Sequence, residues 1–197
     1  KRWPPAGKNV VLTAASSNCA AVLAQLCLEQ GAASVSGIYR TRGHEARLRE
    51  LGIELVHESA EDQFGRVAAC ADLIFDSVGG PLARELEQAA SCATFVSYGN
   101  LSGVMPAGLG RSGSFHQFRL LDALPAFNVM TWQKAFNEVW PVLSRSKLPL
   151  TKTYPLSHWL EAVSNFEQSR RTTKPVLSFC EDWSGSEAAL PATSPRL

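Results

Sequence analysis

The sequence predicts an α/β fold: a doubly wound parallel sheet with helices on both faces, followed by a C-terminal return segment. Between Asn9 and Tyr98, short apolar runs alternate with helical patterns, which is typical of parallel strands joined by right-handed crossovers. The first helical pattern, AAVLAQLCL (20–28), is apolar nearly all round, as expected of a helix buried near the centre of the sheet. The alternation stops in a glycine-rich stretch, YGNLSGVMPAGLGRSGS (98–114), which predicts a long loop.

The elements of the alternating region follow from these patterns. The predicted strands are Asn9–Thr13, Ser34–Tyr39, Glu54–His57, Asp72–Ser77 and Ala93–Tyr98. The predicted helices are Asn18–Gln30, His44–Leu51, Asp62–Ala71 and Leu82–Ala90. Gly31 follows the first helix, where a C-terminal cap is expected.

Beyond the glycine-rich loop we expect a short helix around His116–Leu121 and a strand around Ala126–Met130. A longer helix follows, because one face of it carries an apolar stripe formed by Trp132, Ala135, Phe136, Val139, Trp140 and Leu143.

The C-terminal part of the sequence is predicted to form a separate small unit. It contains a predicted strand (Thr151–Tyr154), a helix capped by Ser157 and a second strand (Pro175–Phe179). The sequence therefore divides into a domain at 1–148, a segment at 149–182 and a polar tail at 183–197 that we expect to be flexible.

Composition narrows the class of protein. Nineteen basic residues stand against 18 acidic ones in 197, so charge indicates neither nucleic acid nor a membrane surface as a partner. No apolar stretch is long enough to span a bilayer, and the opening KRWPPAGKN lacks the apolar core of a signal peptide.

Five scattered cysteines form no CxxC pair, and three fall in predicted core segments. This favours reduced thiols and a cytoplasmic location. No metal site is expected, since Cys19, Cys27, His44 and His57 lack ligand spacing. For Cys19, a small buried side chain is favoured over a reactive thiolate.

The turn between the first strand and the first helix, TAASSNCA (13–20), occupies the place where dinucleotide-binding domains hold a pyrophosphate. That fingerprint uses three glycines, and Ala15, Ser17 and Ala20 would stand in their places. All three are small, which keeps a close approach possible. The position of this turn predicts a Rossmann-type nucleotide cradle; the alternative is a turn in a nucleotide-free α/β domain.

Polar groups in the same turn suit an anion. Asn18 can cap the helix, whose N-terminal amides favour negative charge. Ser16, Ser17 and Asn18 can also donate side-chain hydrogen bonds to phosphate.

The end of the second strand, IYRTRGHE (38–45), bears on the choice of cofactor. An NAD site needs a carboxylate there for the ribose hydroxyls, and none occurs before Glu45. Arg40 and Arg42 can instead bind a 2′-phosphate, while Tyr39 can add a hydroxyl or stack near the adenine. An ordinary solvated basic loop is the alternative. Together with the first turn, the segment favours NADP(H).

Six segments in consistent order resemble the nucleotide-binding half of the medium-chain dehydrogenase/reductases. They are TAASSNCA (13–20), YRTR (39–42), FDSVGG (75–80), VSYGNLSG (96–103), FNVMTW (127–132) and TKPVLSF (173–179). Within that family, the chain most resembles the zinc-independent quinone oxidoreductase and enoyl-thioester reductase branch. It departs from the family pattern at the glycine positions of the first turn.

The resemblance implies further cofactor-binding positions. Ser77, Val78 and Gly79 would lie beside the adenosine. Tyr98 and Gly99 would line the phosphate and ribose, and the backbone of Phe127 and Val129 would face the nicotinamide.

In that family a β-rich catalytic domain precedes the first Rossmann strand. The resemblance therefore implies that this chain holds the NADP(H)-binding domain and a return segment, 149–182, that packs with an absent catalytic domain. The chain alone would be inactive, and no catalytic residue is assigned.

The expected function is that of the cofactor-binding portion of an NADPH-dependent oxidoreductase, which passes hydride to a small quinone, enone or enoyl thioester. The alternative is a non-catalytic Rossmann domain acting in NADPH sensing or in assembly. The family also implies a homodimer paired through the edge strand near Ala126–Met130.

Two rival enzyme classes fit less well. A short-chain dehydrogenase needs a Tyr-x-x-x-Lys pair, and none of the three tyrosines is followed by lysine at that spacing. A methyltransferase normally needs an acid at the end of the second strand, where this chain has arginines.

Overall fold

The computed structural model describes residues 2–90, 92–104, 114–147, 150–168 and 173–179. The chain divides into two compact units, Lys1–Leu148 and Pro149–Leu197. The predicted flexible tail at 183–197, Cys180 and residues 105–113 of the glycine-rich loop lie outside the described residues.

The first unit is built on a six-stranded parallel sheet with the order β3-β2-β1-β4-β5-β6. Its strands are β1 (Asn9–Leu12), β2 (Ser34–Tyr39), β3 (Glu54–His57), β4 (Leu73–Asp76), β5 (Thr94–Ser97) and β6 (Phe115–Gln117). Every pair in the sheet is parallel. The predicted doubly wound α/β fold is therefore confirmed.

Each face of the sheet buries its own apolar cluster, because successive side chains of a strand point to opposite faces. Val10 and Leu12 belong to the cluster that also contains residues of the first two helices. Val11 belongs to the other, with residues of the third and fourth helices. Strand β1 is thus covered on both sides, which is why its sequence is a continuous apolar run.

The helices of the alternating region match the predicted ones to within a few residues at each end. They are α1 (Asn18–Glu29), α2 (Glu45–Arg49), α3 (Glu61–Ala69) and α4 (Gly80–Ala89), with a 3-10 turn at Arg42–His44 before α2. Gly31 follows the cap of α1 with φ +81°, as predicted. The N-terminal cap of α1 is Ser17 rather than Asn18, since the Ser17 Oγ accepts the Ala20 N–H at 3.2 Å.

Two predictions after β5 are wrong. Residues 115–117 form strand β6 beside β5, where a helix was expected, and the helix α5 begins only at Leu120 (Leu120–Ala123). The strand expected at Ala126–Met130 is absent, because that segment ends a 3-10 turn (Leu124–Ala126) and starts the helix α6 (Val129–Arg145).

The physical reason for the second error is a helix cap. The Asn128 Oδ1 accepts both the Thr131 N–H and the Thr131 hydroxyl, each at 2.9 Å, and this starts a helix at Val129. A homodimer paired through Ala126–Met130 therefore has no strand to use. The edge strand next to β5 is β6.

The helix α6 has the predicted apolar stripe, but within the first unit half of its six residues are exposed and the other half are only partly buried. Phe136 is 60% exposed and Trp140 57% exposed, while Trp132 is half-buried between the rings of Phe127 and Phe136. Near the C-terminal end of α6, Arg145 forms an ion pair with Glu29 of α1.

The second unit contains two parallel strands, β7 (Thr151–Pro155) and β8 (Lys174–Ser178), and the helix α7 (Trp159–Glu167). Tyr154 and Ala162 are buried in it. Ser157 lies in a 3-10 turn (Leu156–His158) and does not cap α7, whose cap position is His158.

Of the four cysteines in the described part of the chain, Cys27 alone is buried, and Cys19, Cys70 and Cys92 are exposed. The expectation of three core cysteines was therefore wrong. Burial raises the pKa of the Cys27 thiol to about 12. Within the described ranges, no helix is both long and apolar enough to cross a membrane.

Candidate functional site

The carboxyl ends of β1 and β4 mark the switch point of the sheet. From β1 the chain crosses to β2 on one side, and it later returns to place β4 on the other side. In open α/β sheets this crevice is where ligands bind. Three segments reach it: the turns after β1 and β4, and the loop after β5.

The turn after β1 leaves the start of α1 open. Within it the Ser17 N–H donates to the Ala14 carbonyl at 2.8 Å, and Ala14 has φ +49°. Intrahelical bonding begins with the Ala21 N–H, which donates to the Ser17 carbonyl at 3.0 Å. The amides of Asn18 and Cys19 precede that bond and point out of the helix end, an arrangement that favours an anion.

Ala15 occupies a position where the dinucleotide-binding fingerprint has a glycine, and a glycine on the neighbouring strand β2 leaves space for its side chain. Ala15 is buried, and its N–H donates to the Ile38 carbonyl at 2.9 Å. A Cβ built on Gly37 of β2 would lie 2.8 Å from the Ala15 Cβ. The space for the Ala15 methyl group therefore exists because residue 37 has no side chain.

The remaining side chains of this turn differ in exposure. Ser16, Ser17 and Asn18 are half-buried at the open helix end, and Ala20 is fully buried. Cys19 is exposed, so the expectation that it would be a buried filler is wrong.

The turn after β4 is organised by the buried side chain of Asp76, which is 0% exposed. Its Oδ1 accepts the Thr13 hydroxyl at 2.7 Å and the Val78 N–H at 3.0 Å. Its Oδ2 accepts the Gly79 N–H at 2.9 Å, and the Thr13 Oγ1 in turn accepts the Ser77 N–H at 2.9 Å. Three successive backbone amides are thus satisfied by two side chains.

Glycine is required in this second turn. Gly79 has φ +73° and ψ −161°, a conformation that is essentially restricted to glycine. A Cβ on it would lie 2.7 Å from the Val104 carbonyl oxygen. At Gly99 a Cβ would lie 2.9 Å from the Ser77 carbonyl oxygen, so Gly99 also allows close packing of two backbones.

The loop after β5 is held to the turn after β4 by backbone hydrogen bonds. The Tyr98 N–H donates to the Asp76 carbonyl at 2.8 Å, and the Leu101 N–H donates to the Ser77 carbonyl at 2.9 Å. The Gly80 N–H donates to the Val104 carbonyl at 3.0 Å. The structure therefore brings together Ser77, Val78, Gly79, Tyr98 and Gly99, which the sequence had assigned to one site.

Two buried hydroxyl groups in this region, the Ser77 Oγ and the Tyr98 Oη, lie close to each other, and neither forms a hydrogen bond of normal geometry with a described residue. Burial raises the pKa of Tyr98 to about 12, and the nearby Ser77 hydroxyl opposes that shift. Buried polar atoms are normally paired, so these two are candidates for contact with a ligand.

At the end of β2, Tyr39 is already bonded. Its hydroxyl donates to the Glu45 Oε1 at 2.6 Å, and its ring packs edge-on against His57. This hydrogen bond is the main cause that lowers the pKa of Glu45, with a further contribution from Arg49, which forms an ion pair with Glu45 at 2.8 Å. The first carboxylate after β2 is therefore engaged with groups of its own chain.

Arg40 and Arg42, in contrast, are exposed. Neither forms an ion pair within the part of the chain that the structure describes. Arg47 is half-buried, burial lowers its pKa, and one guanidinium nitrogen has no partner among the described residues. The segment 40–49 is therefore a positively charged edge beside the switch point.

The two predicted residues near the start of α6 are placed differently from expectation. The Phe127 ring packs against Trp132, with 4.9 Å between ring centroids. Val129 is the first residue of α6 and is 79% exposed, so it offers a helical rather than an extended backbone.

The strand order and the open helix end at the switch point define a class, the doubly wound α/β domains of Rossmann type. The chain belongs to the zinc-binding dehydrogenase family, whose model matches residues 51–177, more than half of the sequence. The resemblance to the medium-chain dehydrogenase/reductases is thereby confirmed. Among curated proteins, none matches this chain.

Solved structures with a similar fold are enzymes of related description. One is a Bacillus thuringiensis protein assigned as an NADPH:quinone reductase, with a TM-score of 0.73, 21% identity and coverage of 84% of this chain and 54% of that one. A quinone oxidoreductase from Pseudomonas syringae pv. Tomato DC3000 has a TM-score of 0.70 and 22% identity, covering 87% and 57%. A mutant enoyl thioester reductase from Candida tropicalis has a TM-score of 0.68 and 16% identity, covering 88% and 55%.

The chain spans little more than half the length of these structures. At this level of identity they establish the shared fold.

The family description names zinc, but the described residues do not fit that metal. Within the ranges that the structure describes, no three His, Cys, Asp or Glu side chains lie together as possible ligands. We therefore derive no chemistry through zinc.

Sequence reasoning missed Thr13 and Asp76 as parts of the site. A signal for them exists: an acid closes the buried apolar run LIFD (73–76), directly before a turn whose amides need acceptors.

Proposed function

We propose that the first unit binds NADP(H) and serves as the cofactor-binding portion of an NADPH-dependent oxidoreductase. The observation that carries this proposal is the open N-terminus of α1 at the switch point, where the amides of Asn18 and Cys19 precede the first intrahelical bond at Ala21. A helix end in this position suits the pyrophosphate of a dinucleotide. Membership of a dehydrogenase family supports the same function.

The residues present fit such a ligand. Ser16, Ser17 and Asn18 would hold the pyrophosphate, and the buried Ser77 and Tyr98 hydroxyls would meet it beside the adenosine and ribose. The bare backbones of Gly79 and Gly99 would allow close approach of the segments around them. Bound NADPH would supply a hydride to a quinone, enone or enoyl thioester.

Arg40 and Arg42 would select NADPH over NADH. Both are exposed, and Glu45, the nearest carboxylate in sequence, is bonded to Tyr39 and Arg49. The exposed guanidinium groups form no close ion pair within the described residues, and they can therefore bind a 2′-phosphate in bidentate fashion.

We also propose that the segment 149–182 packs with a catalytic domain of the kind that the family resemblance implies. Apolar side chains exposed on the second unit support this, including Trp159 at 50% and Phe179 at 83%. For a homodimer we propose pairing through β6, one of the two edge strands of the sheet, because residues 126–130 form no strand.

Calorimetric titration of the 197-residue chain with NADPH and NADH tests the cofactor proposal. We expect NADPH to bind about one to two decades more tightly, as charge-assisted contacts worth roughly 1.5–3 kcal/mol predict. The preference should shrink as salt increases. Binding of neither cofactor would overturn the proposal.

A paired substitution tests the role of the arginines. Arg40→Ala with Arg42→Ala should remove most of the preference for NADPH and leave NADH affinity nearly unchanged. The control is Arg84→Ala with Lys134→Ala, which removes the same charge from exposed positions on α4 and α6 and should keep the preference. If both double variants lose the preference for NADPH equally, Arg40 and Arg42 act only through their general positive charge.

A further inference from the structure

We infer that Asp76 and Thr13 are positioning residues of the cofactor site: they fix the turn after β4 in the orientation that the ligand meets. The inference rests on the proposed function, because it assigns residues that support that site without touching the ligand. Neither residue belongs to the glycine fingerprint or to the basic segment after β2.

The first observation is the complete use of the buried carboxyl group. Asp76 is 0% exposed and accepts three hydrogen bonds, from the Thr13 hydroxyl and from the amides of Val78 and Gly79. Burying a carboxyl group is unfavourable unless its oxygens are satisfied, and here both oxygens are. All three donors come from segments that border the switch point.

The second observation is the double role of Thr13, which is also 0% exposed. Its hydroxyl donates to Asp76 and accepts the Ser77 N–H at 2.9 Å. Thr13 follows β1 directly, so this hydroxyl links the turn that starts α1 to the turn that follows β4.

The third observation is the direction in which the turn presents its backbone. The amides of Ser77, Val78 and Gly79 point inward to Thr13 and Asp76. The carbonyls of Ser77 and Val78 are consequently free to accept the Leu101 and Ser102 amides, each at 2.9 Å. The pair therefore orients the loop after β5 as well.

These contacts allow a role in positioning the turn to be distinguished from a general contribution to stability. Thr13 and Asp76 act on this turn through hydrogen bonds, and removing the Thr13 hydroxyl takes no apolar side chain from the clusters on the two faces of the sheet. Loss of the Thr13 hydroxyl should therefore loosen the turn while leaving most of the core packed. Both cofactors should be affected alike, because the adenosine and pyrophosphate are common to them.

The test compares Thr13→Val, which keeps the shape and removes the hydroxyl, with Thr13→Ser, which keeps the hydroxyl. We expect Thr13→Val to weaken NADPH and NADH binding by at least about tenfold each, because it removes both hydrogen bonds of the Thr13 hydroxyl. Thr13→Ser should restore most of the affinity. Asp76→Asn replaces one acceptor oxygen by an NH2 group, which then faces a backbone or hydroxyl donor. This variant should weaken the binding of both cofactors at least as much as Thr13→Val does.

The matched control is Leu86→Ala, at a fully buried position of α4, which lowers stability through the core alone. Affinities are measured at a temperature where every variant is folded. Amide hydrogen exchange of Ser77, Val78 and Gly79 gives a readout independent of cofactor, and we expect faster exchange there in Thr13→Val but not in Leu86→Ala.

The outcomes are distinguishable. If the wild-type chain binds neither cofactor, the proposed function fails, whereas faster exchange at 77–79 would still support the structural role of the pair. If the wild-type chain binds and Thr13→Val keeps its affinity, or loses no more than Leu86→Ala does, the inference is overturned.

Discussion

The turn after β1 and the turn after β4 are neighbours at the carboxyl edge of the sheet, and they use small residues for different purposes. The first contains no glycine and leaves the amides at the start of α1 open. The second contains two glycines, and the amides of Ser77, Val78 and Gly79 are all bonded within the protein.

The difference shows that a glycine in such a turn can be replaced where a neighbouring residue leaves space for a side chain, and not where backbone atoms fill that space. In the first turn, Ala15 replaces a glycine because Gly37 on the next strand supplies the missing space. In the second turn no neighbour supplies space, since the atom nearest to a Cβ on Gly79 is a backbone oxygen. Loss of glycine in the first turn therefore need not mean loss of the binding site.

Among the substitutions that test this comparison, Gly79→Ala should have the largest effect on stability. The backbone at Gly79 lies in a region that costs other residues of order 1–3 kcal/mol, and a Cβ would meet the Val104 oxygen at 2.7 Å. We expect the free energy of unfolding to fall by about 3 kcal/mol, measured by urea denaturation.

Gly52→Ala is the matched control for that substitution. Gly52 has the same φ of +73° but no atom within 4 Å of its Cβ position, so only the backbone strain of about 1–2 kcal/mol applies. Equal losses in the two variants would show that contact with Val104 is unimportant.

Gly37→Ala tests whether the first turn depends on its neighbour. The new Cβ would lie 2.8 Å from the Ala15 Cβ and 2.9 Å from the Ile53 Cδ1, and overpacking of this kind costs about 2 kcal/mol. Ala15→Gly in the same chain should recover at least half of that loss in urea denaturation. If the changes in the free energy of unfolding simply add in the double variant, residues 15 and 37 do not compete for the same space, and this explanation is contradicted.

The sequence predicted the parallel sheet well because β1 to β5 are apolar runs separated by clear helical patterns. Strands β2 and β3 fall at their predicted residues. The errors lie after β5, where local signals compete. The aromatic and β-branched residues of FNVMTW (127–132) favoured a strand, but the Asn128 side chain caps a helix.

For the candidate site, the sequence indicated which segments meet but not how they are bonded. The resemblance to the medium-chain dehydrogenase/reductases assigned Ser77–Gly79 and Tyr98–Gly99 to one site, and hydrogen bonds between the two segments hold them together. Two facts needed coordinates because each depends on residues far apart in sequence: the Thr13–Asp76 hydrogen bond and the close approach of Ala15 to Gly37. The Tyr39–Glu45 hydrogen bond joins residues six positions apart, but it depends on side-chain conformations that no sequence pattern specifies.

Ala14→Gly should have the smallest effect, and it addresses the first turn itself. Ala14 has φ +49°, in the left-handed region that costs a non-glycine residue about 1–2 kcal/mol. Glycine removes that strain but adds flexibility to the unfolded chain, which offsets about 0.4–1 kcal/mol. The free energy of unfolding should therefore rise by at most about 1.6 kcal/mol, with NADPH affinity unchanged in calorimetry. A clear gain in affinity would instead show that the glycine-free turn holds the cofactor less well than its glycine form, and that Gly37 compensates for space but not for backbone conformation.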